Sequence, residues 1–139
     1  MEIKEHIKKL TYSPLFWVIA FAMSAFPMAF TYMLHYIDEM HYTDAAIQML
    51  ANNDYLTPLQ PDGQPRFLKP ILSYWMLTTS YHLFGISPFS SRLPFLLCGL
   101  ALLWITYKIA LLLSGNKNTA LLALSIIATN PLLLLRLIS

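Results

Sequence analysis

No side chain between Lys9 and Asp38 carries a fixed charge, and residues 14–34 of that stretch are long enough to cross a bilayer as a helix. Such a run is costly to expose to water, so it limits the chain to folds that meet hydrocarbon. The composition agrees. Hydrophobic residues make up 57% of the 139 and charged residues only 12%, against about 25% charged in an average soluble domain. With a mean hydropathy of +0.54, the chain reads as an integral membrane protein. A net charge of +2 without a basic stripe gives no support for nucleic-acid binding. The single cysteine, Cys98, lies in a second apolar run and is expected to be a packed core residue; alone it excludes an intramolecular disulfide and a cysteine-based metal site.

The basic start before the first run is reminiscent of a secretory signal. The run is longer than the usual apolar core of about 7–15 residues, and no small-x-small cleavage site closes it. An uncleaved membrane helix is the expectation.

The expected architecture is all-α, with three transmembrane helices and a long outer loop holding two short interfacial helices. Residues 1–13 form the N-terminus and residues 14–34 the first span. Residues 35–91 form the loop, 92–113 the second span, 114–118 a polar turn and 119–139 the third helix. The short turn makes the last two helices an antiparallel pair. Lys4, Lys8 and Lys9 flank one end of the first span, and Lys108 and Lys117 lie at the matching end of the others. By the positive-inside rule that side is cytoplasmic and the loop lies outside.

Within the loop, residues 42–51 are expected to form a helix, with Ala45, Ala46, Met49 and Leu50 as its apolar stripe, ended by Asn52-Asn53-Asp54. Residues 61–65 are a turn in which Gly63 supplies a positive φ. Residues 71–84 are apolar and aromatic but too short to span. They suit an interfacial helix with Tyr74, Trp75, Tyr81 and His82 at headgroup depth and Gly85 as the stop. The carboxylate pair Asp38-Glu39, read as sitting at the exit of the first span, is the strongest functional-site candidate.

The order of residues outward from that pair carries a resemblance. It runs Asp38-Glu39, Tyr42, Asp44, Met49-Leu50, Asp54 and Pro58, then Gly63, Pro65, Phe67 and Lys69-Pro70. It ends with Tyr74-Trp75, Phe84-Gly85 and Arg92-Leu93-Pro94. This resembles the start of the membrane glycosyltransferases related to protein O-mannosyltransferases, including the bacterial lipid A aminoarabinose transferases. Their pattern opens with DE, then RY, "KPP" or "KPI" with YW, "LFG" and "RLP". Each word is weak alone, and the ordered series is specific.

The resemblance implies an N-terminal portion of an inverting glycosyltransferase in a bacterial inner membrane. Such an enzyme moves a sugar from a polyprenyl-phosphate carrier to a lipid, glycan or protein acceptor on the outer face. It assigns catalysis to Asp38, with Glu39 beside it, and places Lys69 near the carrier phosphate. Arg92 and His41 are further candidates for that phosphate, and Tyr42, Tyr74 and Trp75 for sugar or interface contact.

The chemistry asks for those residue types independently. A carboxylate is needed to accept or position the acceptor's proton, and cations to stabilise charge growing on the departing phosphate. A carboxylate in a half-dry interface is shifted by desolvation toward base work near neutral pH. Each residue also has a plainer reading: a solvated acidic pair ending a helix, basic residues snorkelling to headgroups, and aromatics of an interfacial belt.

Two departures narrow the expectation. His41 stands where family members often have Arg, and a histidine titrates near neutral pH where an arginine stays charged. Leu68 stands where the aminoarabinose transferases commonly have a metal-binding Glu, so no metal site is carried over. No cofactor is expected either. The family continues well beyond the position of Ser139, so the isolated chain is expected to be inactive in transfer. Partners are then the lipid-linked sugar, membrane lipids and a companion chain supplying further spans. The alternative is a non-catalytic truncated relative or a small membrane partner subunit.

Overall fold

The computed structural model describes residues 12–30, 37–67 and 69–130. Among these residues are five helices and no strand: α1 (Pro14–Ala29), α2 (Ile37–Asn52), α3 (Ile71–Phe84), α4 (Pro88–Ser114) and α5 (Lys117–Ala128). The described residues are all-helical in their regular structure, as the sequence predicts. Among the described residues α4 is the one helix long and apolar enough to cross a membrane. Its 27 residues extend about 40 Å at 1.5 Å each, more than the hydrocarbon thickness of about 30 Å. α1 and α5 have 16 and 12 residues, and the expected ends of the first and third spans lie outside the described residues.

The described residues fall into two compact units, 12–28 with 95–130, and 29–94 as far as they are described. In the first unit a core forms from Phe21 and Ala25 of α1, Leu96, Leu103 and Tyr107 of α4, and Ala120, Leu121, Leu124 and Ala128 of α5. These positions recur at three-, four- and seven-residue intervals, so each helix offers one stripe. Alanines at three of them let backbones approach closely, as membrane helices require. The opposite faces carry large exposed apolar side chains, among them Leu15, Met23, Phe26, Leu102, Ile109 and Leu122. Cys98 lies on the exposed part of α4, so the expectation that it packs in the core is corrected. The link between α4 and α5 is only Gly115 and Asn116; the Asn116 side chain accepts from the Asn118 amide at 2.9 Å and caps α5.

In the second unit α2 packs on α3 through Ala45, Met49 and Tyr74, with Tyr42 and Ile71 at the edge. α3 has the bounds its sequence predicts, and Gly85 ends it at φ 77°. α2 does not begin at residue 42 as expected. It begins at Ile37, so Asp38 and Glu39 occupy its first turn instead of the exit of the preceding helix. Acidic residues in a first turn complement the partial positive charge of a helix N-terminus.

α4 likewise starts earlier than residue 92. Ser87 Oγ accepts from the Ser90 amide and Ser90 Oγ from the Ser87 amide, at 3.2 and 2.9 Å, with Pro88 in the first helical position. That reciprocal cap fixes the start where apolar run length alone would not. Six residues on, Pro94 has no amide N–H for the Ser90 carbonyl. The Ser80 hydroxyl of α3 donates to that buried carbonyl at 2.6 Å instead. Ser80→Ala should therefore cost about 1–3 kcal/mol, the penalty for leaving a buried acceptor unpaired. In a Pro94→Ala background, where an amide donor returns, the same change should cost far less. A double-mutant unfolding cycle measures this, and equal costs in both backgrounds would refute it.

Candidate functional site

The loop between α2 and α3 is shaped by short-range hydrogen bonds. Asn53 ends α2 with φ 54°, and Asp54 Oδ1 then accepts from the amides of Leu56 and Thr57 at 2.9 and 3.2 Å. Those donors, Leu56 first, hold the Asp54 carboxyl below its usual range. Gly63 at φ 80° turns the chain, and an isolated antiparallel bridge joins Leu59 to Pro65. The Arg66 amide donates to the Pro58 carbonyl at 2.7 Å, and Pro58 is fully buried. This small hairpin delivers Arg66 and, three residues on, Lys69 to the start of α3.

There the side chains gather. Lys69 Nζ lies 5.2 Å from the centre of the Tyr42 ring, a cation–π contact between the loop and α2. The Tyr42 ring meets the Tyr74 ring edge-on with centroids 6.2 Å apart. Tyr74 is wholly buried. Its burial pushes the phenol up, and the Arg66 guanidinium and then Lys69 act in the opposite direction. One nitrogen of Arg66 donates to Gln60 Oε1 at 3.5 Å.

The predicted site residues thus separate into groups. Lys69, Tyr42 and Tyr74 come together. Asp38 and Glu39 lie in the first turn of α2, with Tyr42 one turn further on; their side chains lie outside the described residues, as does Leu68. His41 is half-buried on α2. Arg92 is only 3% exposed within α4, so it is not the snorkelling anchor its sequence position suggests.

Trp75 is on a different face of α3 from Tyr74. Its indole N–H donates to the Tyr55 carbonyl at 2.7 Å, and it lines a cleft of about 470 Å³ with Leu50, Tyr55, Thr78, Thr79, His82 and Leu83. Tyr74, Leu77, Thr78 and Tyr81 recur at helical spacing and face inward, which leaves Trp75 and His82 outward. The expected row of four interfacial aromatics is therefore split between two faces. Two residues that the sequence did not bring forward as site residues are Arg66 and Gln60. The one signal available for Arg66 was a basic residue three positions before Lys69. Among the described residues, no group of three or more His, Cys, Asp or Glu gathers in a way that could hold a metal ion.

Residues 68–137 match the family described as dolichyl-phosphate-mannose-protein mannosyltransferase. An uncharacterized protein of Aquifex aeolicus (strain VF5) is 35% identical over 91 residues, which are 66% of this chain and 18% of that protein. The undecaprenyl phosphate-alpha-4-amino-4-deoxy-L-arabinose arabinosyl transferase 1 of Proteus mirabilis (strain HI4320) is 30% identical over 104 residues, 75% of this chain and 19% of its own. The transferase of the same description from Pectobacterium carotovorum subsp. carotovorum (strain PC1) is 34% identical over 95 residues, 68% of this chain and 17% of its own. The chain accordingly spans less than a fifth of the length of each of these three relatives. No solved structure matches it.

Proposed function

The chain belongs to the dolichyl-phosphate-mannose-protein mannosyltransferase family, and from that premise we propose that it carries the first outer-loop segment of an inverting, polyprenyl-phosphate-sugar-dependent glycosyltransferase. The observation that carries the reading is the meeting of Lys69 with Tyr42. It draws the lysine of the KP motif to the helix that bears Asp38 and Glu39, one turn before Tyr42.

In this reading Asp38 takes the proton of the acceptor hydroxyl or amine as that atom bonds to the anomeric carbon. The bond from that carbon to the phosphate oxygen breaks, and its electrons leave with the carrier phosphate. Lys69 stabilises the charge growing there, with Arg92 and His41 as further contacts. Glu39 supports Asp38. Trp75, and the edge of Tyr42, face the sugar or the interface.

The N-terminus is cytoplasmic in this proposal, and α1, α4 and α5 belong to three spans of an inner-membrane protein. The exposed apolar faces of these helices favour lipid contact, since surfaces of that extent are rare in water-facing monomers. α3 lies along the outer interface with Trp75 and His82 at headgroup depth. The sugar donor is linked to a polyprenyl phosphate, as the names of two of the relatives state for those proteins.

The test is a reconstituted transfer assay on the protein that contains this segment, supplied with a polyprenyl-phosphate-linked sugar. Lys69→Gln is expected to raise KM for the carrier by about ten- to a hundredfold, the effect of one charge-assisted contact. An unchanged KM would remove Lys69 from the phosphate. Absence of transfer with any polyprenyl-linked sugar by the unaltered protein would refute the reading as a whole.

A further inference from the structure

The cleft of about 470 Å³ beside Trp75 has the volume of a ligand pocket, for which about 300–1,000 Å³ is usual. None of its lining residues is an acid, lysine or arginine. Most of its side-chain donors are turned back into its own walls. The Trp75 indole N–H donates to the Tyr55 carbonyl at 2.7 Å, and the hydroxyls of Thr78 and Thr79 donate to the Trp75 carbonyl at 3.1 and 2.7 Å. What faces the opening is ring and hydrocarbon: Leu83 is 70% exposed, and Leu56, next to Tyr55 in the chain, is 73% exposed. A saccharide or nucleotide needs donors and acceptors aimed into its pocket. A hydrocarbon chain needs none.

The bilayer lies within reach of this cleft. α3 ends three residues before α4, the helix long enough to cross a membrane. The Ser80 hydroxyl donates to the Ser90 carbonyl at 2.6 Å, and the Tyr81 hydroxyl meets Ser91 Oγ at 2.7 Å. The later turns of α3 are therefore bonded to the first turn of α4. At about 40 Å, α4 is as long as a bilayer with its headgroup layers, so its first turn belongs among headgroups. Thr79, His82 and Leu83 flank the bonded residues in sequence, which brings the cleft to the boundary between headgroups and acyl chains.

We infer that the cleft seats one acyl chain of a membrane phospholipid, held between Trp75 and Leu83 of α3 and Leu50 of α2, with His82 toward the headgroup. The occupant is a phospholipid and not the carrier's polyprenyl tail. The Lys69–Tyr42 contact, proposed for the carrier phosphate, adjoins Tyr74, whereas the cleft is on the Trp75 face of α3. The inference rests on the proposed interfacial position of α3 and adds a specific seat that ties the loop unit to the membrane.

The test uses the protein that contains this segment, in a membrane holding phosphatidylglycerol with a diazirine on one acyl chain. Photolysis followed by mass spectrometry maps the labelled residues. Leu50, Trp75 and Leu83 are expected to carry more label than Leu72, which is exposed on α3 outside the cleft. Thr79→Trp fills the cleft from an exposed position and should lower the label on Leu50 about tenfold, by removing apolar contact. Leu83→Asp, which sets a charge at the opening, should do the same. Neither change should alter the label on Leu72 or on the lipid-facing Ile109 of α4.

Label on Leu72 and Leu83 with none on Leu50 overturns the seat and leaves α3 at the interface. Label on Ile109 with none anywhere on α3 overturns both. Label on Leu50 that neither variant lowers also overturns the seat. Displacement of the label by undecaprenyl phosphate, added at a small fraction of the phospholipid, overturns the phospholipid as occupant in favour of the carrier's tail.

Discussion

Asp38→Asn in the protein that contains this segment should lower the rate of sugar transfer by about 10²- to 10⁴-fold, the usual contribution of a positioned general base. Asparagine keeps the size and one acceptor oxygen but has no basicity near neutral pH, so it separates proton transfer from shape. Asp38 lies in the first turn of α2, where a carboxylate also complements the helix N-terminus. That second role predicts a small stability loss of about 0.3–1 kcal/mol in the variant, too little to unfold the loop or to alter membrane insertion. Comparing kcat with the carrier's KM distinguishes the roles. A base acts in the transition state, so kcat should fall while KM stays near its original value. Near-normal transfer by Asp38→Asn in a reconstituted assay would remove Asp38 from the mechanism. Glu39→Gln is expected to have a smaller effect, since the resemblance ties the chemistry to the first member of the pair.

The second large effect is on packing. Met49 is almost entirely buried and meets Ala45 and Tyr74 where α2 lies on α3. Met49→Ala should destabilise the loop unit by about 2–5 kcal/mol, because the lost contacts and the cavity left behind add. Met49→Leu, which nearly conserves volume, should cost less than about 1.5 kcal/mol. Chemical unfolding followed by near-ultraviolet circular dichroism measures both, since Tyr42 and Tyr74 report directly on this contact. The consequence extends to the site: α2 bears Asp38 and Tyr42, and Lys69 reaches α2 through the Tyr42 ring. Met49→Ala should therefore reduce transfer as well, although Met49 has no place in the chemistry. A loss below about 1 kcal/mol would mean that this contact does not hold the two helices together.

The elements that were legible in the chain are those with strong local signals. α3 runs over the residues 71–84 that its apolar content, preceding proline and following glycine mark out. Asn53 ends α2, and Gly63 makes the loop turn, because few other residues adopt a positive φ cheaply. The family was legible for a similar reason. Its motif is an ordered series along the chain and needs no knowledge of which residues touch.

The starts of α2 and α4 were less legible, since an apolar run does not mark where a cap closes. For α4 the cap is made by two serines that also bond elsewhere: Ser90 Oγ reaches the Gly85 carbonyl, and Ser91 Oγ meets the Tyr81 hydroxyl at 2.7 Å. Hydroxyls in a short polar stretch read equally well as loop. Only the position of α3 beside them shows that they join the two helices.

The sequence by itself determined the membrane character, the all-helical class and the family, and it offered the candidates for the chemistry. These depend on composition, periodicity and order, which are properties of the chain read in one dimension. The tertiary structure alone decided that Arg92 is buried, that Tyr74 and Trp75 face different ways, and that Lys69 lies over the Tyr42 ring. Those facts depend on which side chains meet across α2, α3 and the hairpin between them. A burial or a cation–π contact belongs to the meeting of those groups, and no single residue carries it in advance.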